Sequence, residues 1–225
     1  PQDTSSAASD VYKRQDYNVV RWSSEPDGNL LGIGPSVSNP LTGEIISADV
    51  VNKLLAIKLG YNYRKLYGYT EDNDPLMQYI TNLTLHEVGH VLGLRHNFRG
   101  SYLYSPDEIH DKNITGNVLM SSVMDYDPIN IAPEGVEQGI YFSTEPGVYD
   151  KWAVKFGYTP NLTEEERTAL LQQSVKRELT FGTDDDAMSY PGNNIDPRTK
   201  RYDMSNDPIG YAEDIVKIVD QKINE

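Results

Sequence analysis

A mixed α/β fold is what this 225-residue sequence predicts, and three observations predict it. Two short stretches, Asp16–Trp22 and Glu44–Val51, carry the β-branched and aromatic residues of strands. A longer stretch opens at Asp74-Pro75, a side chain suited to cap a helix followed by Pro at its first position. Two more helix-forming stretches lie near the C-terminus, behind a middle rich in loop residues.

Taken in order, residues 1–15 are polar and without periodicity. Their last six, Asp10–Gln15, resemble the translation of a sequencing-library transposon end. They are therefore expected to be a non-native or disordered leader and are left out of fold reasoning. The strand over Asp16–Trp22 is followed by a Gly/Pro/Ser-rich loop or irregular hairpin from Ser23 to Asn39. Pro40–Gly43 makes a turn into the second strand. Val51, Leu54, Leu55, Ile57 and Leu59 have helical spacing within Val50–Leu66, interrupted near Gly60. The helix from Asp74-Pro75 has Met77, Ile80, Leu83, Val88 and Val91 as its expected inner face, and Gly93 where a terminating Gly belongs. Tyr149–Phe156 reads as a short helix. Thr163 to Glu166 is a capping-box start for a helix to about Leu179. Asp184–Pro208 reads as polar loop, and Tyr211–Ile223 as a last amphipathic helix. The expected organisation is a leader over 1–15, a main domain over 16–159 and a helical extension of the same domain over 160–225.

Composition removes several functions. Twenty Lys+Arg against 34 Asp+Glu leave a formal charge of −14, the wrong sign for a surface that neutralises phosphates. Nucleic acid is thus excluded as a partner, and a basic patch on anionic lipid is disfavoured. No apolar run is long enough to span a membrane. The chain has no Cys, so disulfides, thiolate metal sites and a Cys nucleophile are excluded.

Chemistry concentrates in one place. Of four His, three lie within the eleven residues His86-Glu87-Val88-Gly89-His90-Val91-Leu92-Gly93-Leu94-Arg95-His96. On a helix His86 and His90 are one turn apart and project from one face, at a separation one Zn²⁺ can bridge. Glu87, one residue past the first ligand, falls beside the metal rather than on it, where a carboxylate can move protons. Gly93 ends the helix and permits the reversal that returns His96 as third ligand. Three protein ligands leave a fourth position open, the catalytic and not the structural arrangement. Chance produces these five fixed positions in roughly one chain of this length in 10⁵.

This stretch resembles the metzincin zinc endopeptidases, whose extended His motif is followed by a Met-turn. The second part is present as Ser121-Ser122-Val123-Met124-Asp125-Tyr126. The closest resemblance is to a bacterial branch of cell-envelope or secreted proteins with a "met-zincin" domain. It is carried by Tyr17–Trp22, Asn39–Val50, His86–Ser101, Ser122–Asn130, Tyr149–Thr159 and Asp196–Asp214. The resemblance implies a mixed twisted sheet over an active-site helix and one catalytic Zn²⁺ on His86, His90 and His96. It implies a zinc-bound water activated by Glu87, Met124 as an apolar floor, and Tyr126 as a metal ligand or oxyanion donor. It also implies a protein or peptide substrate, extended along an antiparallel edge strand at Gly43–Asp49, and an extracytoplasmic location (no signal peptide is read in these residues). Metzincins place two further strands and a long helix before the strand matching Tyr17–Trp22. The expected domain is therefore truncated at its N-terminus.

The remaining signals are weaker. Asp184–Asp186 with Asp196 offer oxygen ligands of the kind Ca²⁺ takes, but their spacing matches no calcium motif and a solvated loop is expected. His110 lies in a polar stretch and is expected to be solvated. Arg95, Asn97 and Arg99 flank the third ligand, as substrate-orienting or supporting residues. Two other functions fit the same zinc ligands: an envelope binding protein with a structural zinc, and a zinc hydrolase acting on non-protein amides.

Overall fold

The strand Ile45–Lys53 is the centre of a small open sheet, because both of its edges are paired. The structure, a computed structural model, describes residues 18–24, 31–187 and 196–224; the expected leader over 1–15 lies outside them. β1 (Val19–Ser23) runs parallel to the C-terminal half of the central strand, Val19 opposite Asp49 and Ser23 opposite Lys53. On the other side, β2 (Gly32–Ile33) and β3 (Ser36–Ser38) run antiparallel to the central strand, β4 (Ile45–Lys53). Pro35 carbonyl accepts from Asp49 N at 3.0 Å between them, so β2 and β3 form one interrupted strand with a bulge at Val37/Ser38.

The edge at Gly43–Asp49 is narrower than expected: Ile45–Ala48 pairs with β3 on one side and has no strand partner on the other among the described residues, while β1 pairs from Asp49 onward. The outer strand is Gly32–Ser38, in a stretch whose Gly, Pro and Ser content reads as a loop or irregular hairpin. Two glycines and a proline lower strand propensity, and pairing with β4 overrides it.

Helix α1 (Leu54–Tyr67) follows β4 directly and runs unbroken through Gly60. A Cβ at Gly60 would lie 2.7 Å from Leu76 Cδ1, so this glycine lets α1 lie close against the next helix rather than interrupting the first. That helix, α2 (Pro75–Val91), lies beneath the sheet, and Asn52 on β4 donates to Thr84 Oγ1 at 2.9 Å. Its inner face is not the apolar stripe the spacing predicts. Met77 is 55% exposed, while Gln78, Tyr79, Asn82, His86 and Glu87 are buried. The reason is the irregular chain packed on this side, which brings backbone amides that need acceptors. Gln78 Oε1 accepts from Tyr141 N at 2.7 Å and Phe142 N at 3.2 Å.

The middle is loop-rich, with a short α3 (Lys112–Thr115) and then α4 (Val148–Tyr158). Within this stretch His110 is buried, not solvated, and burial lowers its pKa. Thr163 caps α5 (Glu164–Gln172) with the expected box, but the helix stops at Gln172 and continues as two 3₁₀ turns to Leu179. Trp152 Nε1 donates to Leu170 carbonyl at 2.9 Å, taking an acceptor from its last turn. Asp184–Ala187 is a single helical turn, α6, in a stretch that reads as loop. The last helix, α7 (Pro208–Asn224), packs back: Ile218 joins Ala56, Tyr79 and Phe142 in one core cluster, and Tyr211 joins Ile109, Leu119 and Met204 in another. Among the described residues no helix is long and apolar enough to cross a membrane.

Candidate metal centre

Local chain chemistry sets two of the three imidazoles. Asp74 caps α2 by accepting from Leu76 N at 3.0 Å, and Pro75 fits the first turn, where an N–H would be unpaired. His86 and His90 then follow one turn apart near the C-terminal end. His86 Nδ1 lies 2.7 Å from Val123 carbonyl and His90 Nδ1 lies 3.0 Å from Leu94 carbonyl. Gly93 has φ of 85°, the left-handed conformation a glycine adopts without strain, and the chain turns back there. His96 arrives on this return, its Nδ1 2.8 Å from Asp184 Oδ2.

A carbonyl or ionised carboxylate can only accept, so each Nδ1 carries the ring hydrogen and each Nε2 keeps its lone pair. These nitrogens converge: the candidate ligand atoms of His86, His90 and His96 lie within 4.8 Å of one another, and His90 Nε2 is 3.2 Å from His96 Nε2. Zn–N bonds of about 2.0–2.1 Å at tetrahedral angles would separate two ligand nitrogens by about 3.3 Å. Two facing lone pairs also repel unless a cation lies between them. Donor set, orientation and spacing fit zinc. Burial and the neighbouring imidazoles push His86 down to about 3, which keeps it in the neutral form that ligates.

Met124 is fully buried against α2. A Cβ on Gly89 would come 2.2 Å from Met124 Sδ, so a glycine between the two helical ligands lets the sulfur press against the helix. Asp150 on α4 holds the turn that carries this methionine. It accepts from Ser122 Oγ at 2.6 Å, from Val123 N at 2.8 Å and from Gly147 N at 2.8 Å. Because Val123 carbonyl is also the partner of His86, the turn fixes Met124 and the His86 ring together.

Two further groups matter here, Tyr126 against the imidazoles and Glu87 one residue past His86. Tyr126 hydroxyl is 2.9 Å from His96 Nε2 and, as that nitrogen is an acceptor, donates to it. Burial, followed by the Asp184 charge, raises this hydroxyl to about 12. Glu87 is buried and desolvation lifts its carboxyl to about 7. Its wall is the outer strand: a Cβ on Gly32 would lie 2.5 Å from Glu87 Oε1, and one on Gly34 would lie 2.2 Å from Glu87 carbonyl oxygen. Gly32 lets β2 lie directly on the carboxylate, and Gly34 lets the chain beyond it lie on the helix backbone.

The acidic run, expected to be a solvated loop, instead finds partners within the protein. Asp184 bonds His96, Asp185 pairs with Arg95 at 2.9 Å, Asp186 accepts from Thr183 N at 2.9 Å, and Asp196 is held by Arg198 and Arg99. The four do not converge on a calcium site. Among the described residues the three histidines are the one group of His, Cys, Asp or Glu side chains that could hold a metal. Arg95, Asn97 and Arg99 turn toward this segment: Asn97 Nδ2 donates to Thr180 carbonyl at 3.1 Å, and its Oδ1 accepts from Gly182 N at 3.1 Å. Asp184, Asp150 and Gly89 carry no motif that sequence reading could use. Each matters only through a partner distant in the chain or, for Gly89, through a side chain pressed on the helix.

Residues 69–225 match the family described as Met-zincin. No curated protein and no solved structure matches the chain.

Proposed function

The chain belongs to the Met-zincin family, and from that premise we propose that it is a zinc-dependent endopeptidase. The observation that carries the reading is the convergence of three Nε2 lone pairs, each imidazole fixed at Nδ1 by an acceptor. His86, His90 and His96 would hold zinc, which when bound supplies a Lewis acid that polarises a carbonyl and makes water acidic near neutral pH. Glu87 takes the proton of the attacking water and returns it to the departing amine. Tyr126 hydroxyl, held neutral by burial, donates to the oxygen that becomes negative as the carbonyl turns tetrahedral. Met124 keeps the underside apolar and dry.

A polypeptide substrate is favoured by the outer strand. Gly32–Ser38 borders Glu87 and has β4 as its only strand partner among the described residues. Its other edge can pair with an extended chain, which brings a peptide bond past the carboxylate. An extracytoplasmic setting rests on the resemblance of the sequence blocks alone.

Incubating the chain with a peptide library, with zinc, with chelator and after zinc return, tests this reading. Cleavage that follows the metal and disappears in Glu87→Gln is expected. Zinc binding without any cleavage would leave a structural site, and turnover of small amides alone would point to a non-protein hydrolase.

A further inference from the structure

The three imidazoles are not held alike. His86 and His90 give their Nδ1 hydrogens to neutral backbone carbonyls, whereas His96 gives its own to a carboxylate 88 residues away, Asp184 Oδ2 at 2.8 Å. We propose that Asp184 is a positioning residue for the third zinc ligand, and that the segment Thr180–Asp184 works as a clamp making metal affinity depend on the C-terminal part of the chain. The proposal rests on the zinc reading above and adds a residue to it.

Asp184 cannot itself be a ligand in this arrangement, because it meets the ring on the edge opposite Nε2. Its contributions are orientation and charge. The carboxylate fixes the ring's tautomer and makes Nε2 a stronger donor, and partners of this kind are commonly worth 10–100-fold in metal affinity. Here the need is greatest at His96. His86 and His90 ride a helix, while His96 sits in a return loop with no regular structure around it.

The surrounding bonds support one purpose. Phe98 N donates to Gly182 carbonyl at 2.7 Å, Gly182 N donates to Asn97 Oδ1 at 3.1 Å, and Asn97 Nδ2 donates to Thr180 carbonyl at 3.1 Å. Three bonds thus tie Asn97 and Phe98, directly after the ligand, to the residues directly before Asp184. A Cβ at Gly182 would lie 2.8 Å from Arg99 Cγ and 2.6 Å from Thr199 Oγ1, so the two chains touch where a side chain would part them. The adjacent pair Arg95–Asp185 has side chains 59% and 74% exposed, and serves as a control of similar chemistry outside the clamp.

Zinc dissociation constants of the full chain, measured by competition with a chromophoric chelator, test the proposal. Asp184→Ala should weaken zinc about 10–100-fold. Asp184→Asn, which keeps an oxygen to accept from Nδ1, should recover part of the loss, and Asp185→Ala should match wild type. Cobalt substituted for zinc supplies a second readout, since its visible bands follow ligand geometry. They should shift in Asp184→Ala while the metal-free far-ultraviolet spectrum stays that of wild type. Wild-type affinity in Asp184→Ala would overturn the proposal, as would Asp184→Asn no better than Asp184→Ala. A wild-type chain that takes up no zinc would instead overturn the zinc reading itself.

Discussion

The helix Pro75–Val91 and the return loop Leu94–Arg99 bring imidazoles to the same point, two from the helix and one from the loop, by opposite means. The helix fixes its ligands through its own geometry, since residues four apart share a face whatever lies beyond. The loop has no such geometry. Asn97, Phe98 and His96 are fixed by bonds to residues 180–184, and Asn97 N donates to Met124 carbonyl at 3.0 Å. The helical ligands need support only at the ring, from Val123 and Leu94 carbonyls. If the three imidazoles hold zinc as proposed, the member without regular structure around it is the one whose hold on the metal should depend most on the C-terminal contacts of the loop.

Changes at the ligands break the comparison outright. His86→Ala and His96→Ala should each abolish stoichiometric zinc in elemental analysis of dialysed protein, because two imidazoles do not make the site. Glu87→Gln should keep the metal and lose about 10²–10⁴-fold in peptide turnover, the range of general acid–base contributions. A loss within about threefold, well short of that range, would mean that another group moves the proton.

Smaller effects sharpen the same contrast. Gly89→Ala puts a methyl 2.2 Å from Met124 Sδ, and overpacking of this sort costs about 1–3 kcal/mol, readable in urea denaturation. Gly93→Ala meets nothing within 4 Å, so its cost is only the left-handed backbone, about 1–2 kcal/mol. The two glycines of the motif are thus required for different reasons, one for packing and one for conformation.

The smallest effect concerns pH. Burial raises the Asp127 carboxyl to about 7, against about 3.9 in an unfolded chain. A raised value means that the folded state holds the proton more tightly. Its stabilising contribution is present below about pH 4 and is lost as pH rises through about 7. Relative to Asp127→Asn, wild type should therefore be less stable at pH 8 than at pH 5, by about 1 kcal/mol or more. His86, lowered to about 3, acts in the opposite sense and cancels in the comparison because both proteins carry it. A pH-independent difference would show that Asp127 titrates normally.

What the sequence made legible follows the same division. The helix cap at Asp74, the shared helix of His86 and His90, the stop at Gly93 and the box at Thr163 are local patterns, and the structure shows the cap, the shared helix, the turn and the box. The outer strand Gly32–Ser38 was legible only as one of two alternatives, loop or irregular hairpin, because glycine and proline lower strand propensity and only the pairing with β4 decides for the strand. Nor was the polar inner face of α2, since Gln78 is buried to serve the amides of Tyr141 and Phe142, more than 60 residues on. Asp184 looked like one of three equivalent acids in a loop, and its proximity to His96 exists only in the folded chain.

X-ray absorption at the zinc edge of the loaded chain tests the central claim most directly, because it counts imidazoles and measures their distance. Three nitrogen donors at about 2.0–2.1 Å, with the outer-ring pattern of imidazole and light-atom donors completing the coordination, are expected for an open three-histidine centre. One or two imidazoles at that distance, or a shell made mainly of carboxylate oxygens, would contradict it.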